Sequence, residues 1–156
     1  MVAVDVLRGS QLFCTLRDEE LHRIAPLCLE ERHEKGTCTF SKGDAADRLY
    51  FLLEGAVKVR QEIRPQPDTH QNTTFSIDIP GHMIGWSALA NPRRLTAIAC
   101  CQTDVRLVAI EGWALNQLLE QDSHIRFVVA KELAGIIGQR LRQAKEQVFE
   151  RAVGSL

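Results

Sequence analysis

F-S-K-G-D-A-A-D-R-L-Y-F-L-L-E-G-A-V-K-V, residues Phe40 to Val59, is the stretch that decides the fold. It holds two short runs rich in β-formers, RLYFLL (48–53) and the start of AVKVRQEI (56–63), too short for helices. Lys42-Gly43-Asp44 and Glu54-Gly55 punctuate them, glycine supplying the positive φ that a tight turn needs. The stretch therefore reads as strand, turn, strand.

The same pattern extends outward on both sides, through LEERHEK (29–35), TCTF (37–40), TTFSIDI (73–79) and VRLVAI (105–110), with another turn at Pro80-Gly81. RPQPDTHQN (64–72) has two prolines and no apolar residue, which marks an exposed hairpin tip. Regularly spaced short strands of this kind argue for a barrel or roll.

Helical periodicity brackets the strands. From Arg17, RDEELHRIAPLC places Leu21, Ile24 and Ala25 on one face with acids in the first turn, a short helix ending near Pro26. After Ile110 come EGWALNQLLE and then, from an Asp122-Ser123 start signal, a helix from His124 to about Glu150. That last helix would span about 40 Å, more than a small roll can cover.

Ile125, Val129, Leu133, Ile136 or Ile137, Leu141, Ala144 and Val148 form one stripe of it, and Phe127, Val128, Ala130 and Ala134 an adjoining one. Either one stripe packs on the roll while the other meets a partner helix, or both wrap the roll of a monomer. Gly135 and Gly138, each costing about 1 kcal/mol in a helix, mark a close helix approach, a hinge, or a tolerated position.

The expected fold class is α+β: an antiparallel, jelly-roll-like β-roll with a short N-terminal helix and a long C-terminal helix. The expected organisation is a tail at 1–11, the roll at 12–121, the long helix for dimerisation or relay at 122–150, and a tail at 151–156.

Composition excludes several functions. A length of 156 residues with 45% hydrophobic content suits one core plus an appendage. A formal net charge of −1 gives no global basic field, and Arg140, Arg142, Lys145 and Arg151 alternate with Glu146 and Glu150 as on a solvated face, so no direct nucleic-acid partner is expected. MVAVDVLRGSQLF lacks the features of a secretory signal, and no apolar run approaches the roughly 18 residues of a membrane span. A soluble, cytoplasmic protein with no membrane partner is expected.

Cys14, Cys28, Cys38, Cys100 and Cys101 lack paired C-x-x-C spacing and read as reduced core residues. Consecutive Cys100 and Cys101 would face opposite ways on a strand. His22, His33, His70, His82 and His124 are scattered with no His-x-His pair, so a cupin-like metal site is not expected. Ser87 lacks the G-x-S-x-G context of a nucleophile. No catalytic residue and no metal are assigned, and the chain is not expected to be an enzyme.

The order of elements, with Phe40–Val59 and I-G-W-S-A-L-A-N-P-R-R-L-T-A-I-A (Ile84–Ala99), resembles the cyclic nucleotide-binding domain of the catabolite activator protein and of cyclic-nucleotide-regulated kinases and channels. The resemblance covers about residues 12 to 148. It implies that Gly85–Ala97 is a phosphate-binding cassette, a Gly-led loop and short helix whose N–H groups and hydroxyl face a cyclic phosphate. The ligand-binding residues it implies are Gly85, Trp86, Ser87, Ala88, Arg94, Leu95, Thr96, Ala97 and, from the middle of the long helix, Arg140.

The pattern departs from the family in two places. Trp86 follows Gly85 where the family has the Glu that holds the ribose, and Leu95 falls at the position of the phosphate-binding Arg, with Arg94 and Arg93 one and two residues earlier. Arg94 either returns to the pocket through a one-residue bulge or faces water. Trp86 either stacks on a base or fills the pocket.

The expected function is a regulatory module that senses a small ligand, cAMP, cGMP or another small phosphate, and relays the signal through the C-terminal helix. A homodimer through that helix, with a protein partner downstream, is expected. The alternative is a degenerate, ligand-free roll that dimerises or docks onto a protein.

Overall fold

In the computed structural model, which describes residues 2–40, 48–63, 71–85 and 97–154, the chain begins with helices α1 (Val4–Arg8) and α2 (Asp18–Ile24) and a single 3₁₀ turn (Ala25–Leu27). Strands β1 (Cys28–His33), β2 (Cys38–Phe40), β3 (Arg48–Glu54), β4 (Val57–Ile63), β5 (Gln71–Ile77), β6 (Met83–Ile84), β7 (Ala97–Cys101) and β8 (Val105–Glu111) follow. Helices α3 (Gly112–Gln121) and α4 (Ser123–Gly154) close the chain. The strands form two antiparallel four-stranded sheets, ordered β1-β8-β3-β6 and β2-β7-β4-β5. This is the expected α+β roll with its short N-terminal and long C-terminal helices.

The period of two in β3 and β8 builds the two layers of core. Leu49 and Phe51 of β3, with Val108 and Ile110 of β8, face a cluster made with the helices through Leu7, Phe13, Leu21, Ile24, Leu115 and Ile125. The alternate residues Tyr50, Leu52, Leu107 and Ala109 face the other sheet and meet Val57, Val59, Phe75, Ile77 and Ala99. Both faces of these strands are covered, which is why RLYFLL and VRLVAI are apolar nearly throughout. Each large side chain so buried contributes about 1.5–3 kcal/mol.

Turn chemistry falls where glycine was expected. Gly55 has φ +103 and Gly81 φ +92. At Gly81 the reason is also steric, since a Cβ would lie 2.0 Å from the Gly9 carbonyl oxygen. The Gln11 N–H donates to the Gly81 carbonyl at 2.9 Å, and the Gln11 side chain accepts from the Met83 N–H at 3.1 Å. The N-terminal segment thereby holds β6 in place.

Some expectations need correction. Residues 1–11, read as a tail, include α1, whose Leu7 is fully buried. The hairpin tip was drawn too long, because Gln71 and Asn72 already pair with Ile63 and Glu62. β6 and β7 were not anticipated as strands. The Lys42-Gly43-Asp44 turn and residues 64–70 lie outside the described residues.

The cysteines are the clearest departure. Cys38 and Cys100, expected reduced, sit opposite each other on β2 and β7 and are joined in a disulfide. Cys28 and Cys101 are the buried thiols that were expected, while Cys14 is exposed. Burial pushes the Cys28 thiol up to about 12.

α4 begins where Asp122 predicts, the Asp122 carboxylate accepting from the N–H groups of His124 and Ile125 at 3.0 Å each. It runs to Gly154, past the expected end near Glu150. Ile125, Val128, Val129, Ile136, Arg140 and Ala144 are buried, whereas Phe127, Ile137, Leu141, Phe149 and Val153 are exposed. The helix thus has one packed stripe and one bare apolar stripe. Added Cβ atoms at Gly135 and Gly138 would meet nothing within 4 Å, so among the described residues neither glycine marks a close approach.

Candidate functional site

The implied ligand segment opens at the end of β6. Met83 and Ile84 are buried and pair with Phe51 and Tyr50 of β3, and Gly85 then turns the chain with φ +80, a conformation that L side chains rarely adopt. The segment closes at Ala97, the first residue of β7, which pairs with Gln61 of β4. The segment thus leaves from one sheet, after β6, and enters the other at Ala97. Trp86, Ser87, Ala88, Arg94, Leu95 and Thr96 lie outside the described residues, as does Arg93.

Arg140 is the implied site residue that the described structure places most fully. It projects from the packed stripe of α4, only 9% exposed, against the default for an arginine on a helix. Its Nη2 donates to the Met83 carbonyl at 3.0 Å, two residues before Gly85. Its guanidinium carbon lies 5.6 Å from the centre of the Phe75 ring on β5. Burial lowers the guanidinium from its ordinary value, and this neighbouring cation together with burial, the larger cause, lowers His82 as well.

Its place along α4 explains why it turns inward. Ile136, one turn earlier, belongs to the helix-side core, and Ala144, one turn later, belongs to the core between the sheets. Arg140 sits between them and spans the passage from one cluster to the other. A planar, multiply donating cation held there is suited to an anion or to the π-face of a base.

Three contributors were not singled out from the sequence. Phe75 was within reach, because alternation in TTFSIDI puts Phe75 and Ile77 on one face, and both are buried. The Met83 carbonyl had no signal. Gln147 is the third: its side-chain amide accepts from the Thr74 N–H at 3.0 Å and donates to the Thr74 carbonyl at 2.6 Å, clamping α4 to the outer edge of β5.

Among the described residues no three His, Cys, Asp or Glu side chains gather as a metal site, and no helix is long and apolar enough to cross a membrane.

Comparison with known proteins agrees with this architecture. A family model for the cyclic nucleotide-binding domain matches residues 30–122. A CRP-like cAMP-activated global transcriptional regulator of Mycobacterium tuberculosis is 28% identical over 116 residues, which is 74% of this chain and 48% of that protein. The chain thus spans about half the length of this relative. A crystal structure from Geobacter metallireducens GS-15 superimposes with a TM-score of 0.76 at 29% identity, covering 90% of this chain and 99% of that one. A cyclic nucleotide-binding domain from Methylobacillus flagellatus shares the fold at TM-score 0.76 and 19% identity, over 95% of this chain and 81% of its own. The family match takes in the greater part of the sequence, from the first strands of the roll to the start of α4, and the chain belongs to the cyclic nucleotide-binding domain family.

Proposed function

We propose that this chain is a non-catalytic sensor that binds a small anionic ligand of the cyclic nucleotide class and reports it through α4. Arg140 carries the reading: a buried guanidinium from the long helix reaches the strand that delivers Gly85. A ligand seated on Gly85–Ala97 would lie next to a group belonging to the helix. Its binding would bias how that helix packs, which is the condition for relaying a signal. Residues 12–121 act as the sensing unit and 122–150 as the relay. Arg94 supplies the phosphate contact, with Ser87 and Thr96 as hydroxyl partners, while Trp86, Ala88 and Leu95 shape the pocket.

A second reading is favoured by the bare apolar stripe of α4, Phe127, Ile137, Leu141, Phe149 and Val153. With Trp86 in place of the ribose-binding Glu, the roll is then a ligand-free module that pairs through α4 with a second copy or docks onto a protein partner. The two readings share the helix interface and differ at the pocket. Nucleic acid and membrane are partners of neither, and the protein acts in the cytoplasm.

The experiment is a thermal-shift titration of the purified chain with cAMP, cGMP, cyclic dinucleotides and inorganic phosphate, repeated with Arg94→Ala. A ligand at a hundred times its dissociation constant adds about 2.7 kcal/mol, a shift of several degrees for a chain of this size. A shift with a cyclic nucleotide that Arg94→Ala abolishes supports the sensor and its phosphate contact. No shift with any of these compounds overturns the sensor and leaves the ligand-free module.

A further inference from the structure

We propose that the Cys38–Cys100 disulfide is a reversible lock on the edge strand β2, opened from solvent by a dithiol reductant.

β2 is three residues long, lies at the end of its sheet, and among the described residues is paired with β7 alone. Its register shifts between Cys38 and Phe40. The backbone bonds Gly36 N–H to Cys101 carbonyl and Cys101 N–H to Thr37 carbonyl, 2.8 Å each, flank the bridge on one side. An edge strand this short has little cross-strand pairing to hold it. The covalent bond adds a tether to that pairing.

Neither bridged cysteine belongs to either core cluster. Opening the bond therefore takes no member out of either cluster. This distinguishes the bridge from the staples of small domains that lack a core.

Access is one-sided. Cys38 is exposed and Cys100 half-buried. A reductant thiolate attacks the Cys38 sulfur, the S–S bond breaks, and Cys100 leaves with the electron pair and takes up a proton. The second thiol of the reductant then attacks its own sulfur in the mixed disulfide and releases Cys38, which is protonated in turn. The protein gains two electrons and two protons, and the dithiol becomes a disulfide.

The two buried thiols do not divert this exchange. Cys101 adjoins Cys100 in sequence but is buried in the core between the sheets, and burial pushes its thiol up, with Asp104 adding to the effect. Cys28 is buried among the helices.

β7 starts at Ala97, three residues before the bridge, so the bond's state bears on the end of the proposed ligand segment. This coupling, unlike the lock itself, rests on the sensor reading above.

The test equilibrates the folded, full chain in mixtures of oxidised and reduced dithiothreitol, a dithiol, quenches, alkylates, counts thiols by mass, and follows hydrogen exchange of residues 34–40 and 97–101. Two further thiols should appear in a single transition without global unfolding. Amides of residues 36–40 should then exchange at least about tenfold faster, and Cys38→Ser/Cys100→Ser should show that faster rate in every buffer. A bridge that opens only when the chain unfolds overturns the lock, as do exchange rates that are equal in the two states. The comparison of oxidised and reduced wild type stands alone if the double variant fails to fold.

Affinities for cAMP and cGMP are measured in both states. Weaker binding after reduction supports the coupling and equal binding overturns it. Absence of binding in both states overturns the sensor reading, while the exchange data still decide the lock.

Discussion

Gln147→Ala should release the C-terminal half of α4 from the roll. Among the described residues β5 is an edge strand, paired on one side with β4 through Arg60–Thr74, and its other side would be open at Thr74 without the Gln147 amide. That amide takes the place of a missing strand, with one donor and one acceptor at 2.6 and 3.0 Å. Two net hydrogen bonds of this kind contribute about 1–3 kcal/mol. Gln147 and Thr74 border an open cleft of about 240 Å³, so water replaces part of the loss in the variant. The expected cost is near the lower end, about 1.4 kcal/mol, or tenfold in the local opening equilibrium.

Native-state hydrogen exchange reads this directly. The Thr74 amide should exchange about tenfold faster in Gln147→Ala, with Val108 in the centre of the other sheet unchanged. Gln143→Ala, an exposed neighbour lining the same cleft, should leave Thr74 as it is. A Thr74 rate within about twofold of wild type in Gln147→Ala, or an equal effect from Gln143→Ala, would refute the argument that this amide holds the edge.

Three other outcomes follow from the packing. Gly81→Ala should destabilise by about 3 kcal/mol in a urea titration, because φ +92 and a Cβ 2.0 Å from the Gly9 carbonyl both oppose it, whereas Gly135→Ala, in open space on a helix, should stabilise by up to about 1 kcal/mol. Leu107→Ala, emptying a fully buried place between the sheets, should cost about 2–5 kcal/mol by the same measurement. Burial raises Glu20, but the Arg17 N–H, His124 Nδ1 at 2.5 Å and the Arg17 guanidinium outweigh it and hold the carboxyl below its ordinary 4.5. The stabilisation is then present above that value and is lost as pH falls through the lower, folded one. Stability measured from about pH 5 downward should fall less steeply in Glu20→Gln than in wild type.

Much of the architecture was legible because local pattern and global burial agree. RLYFLL and VRLVAI announce strands covered on both faces, and the Asp122 start signal marks the first turn of α4 where it occurs. β7 was hidden because AIACC follows directly on the segment that the resemblance reads as a loop and short helix. The disulfide was illegible for a geometric reason: its cysteines are 62 residues apart, and only the β2–β7 register brings them together. Arg140 and Gln147 look like ordinary solvated helix residues, and their partners, the Met83 carbonyl and the Thr74 main chain, leave no trace in a side-chain pattern. Of the implied ligand segment, only its ends and the helix-borne arginine fall within the described residues.

The two open sheets also pose a problem of self-association, since a sheet edge is a template for a foreign strand. Among the described strands the four edges are β1, β6, β2 and β5, and each is blunted differently. β6 offers two residues and β2 three with an irregular register, too little for another chain to zip onto. β1 is longer but carries Glu30, Glu31, Arg32 and His33 in succession. β5, seven residues long and rich in threonine and other uncharged groups, is the edge best suited to recruit a second molecule, and it is the one on which α4 rests. Displacing that helix would uncover it, so any state that lifts the C-terminal half of α4 carries a risk of aggregation that the docked state does not.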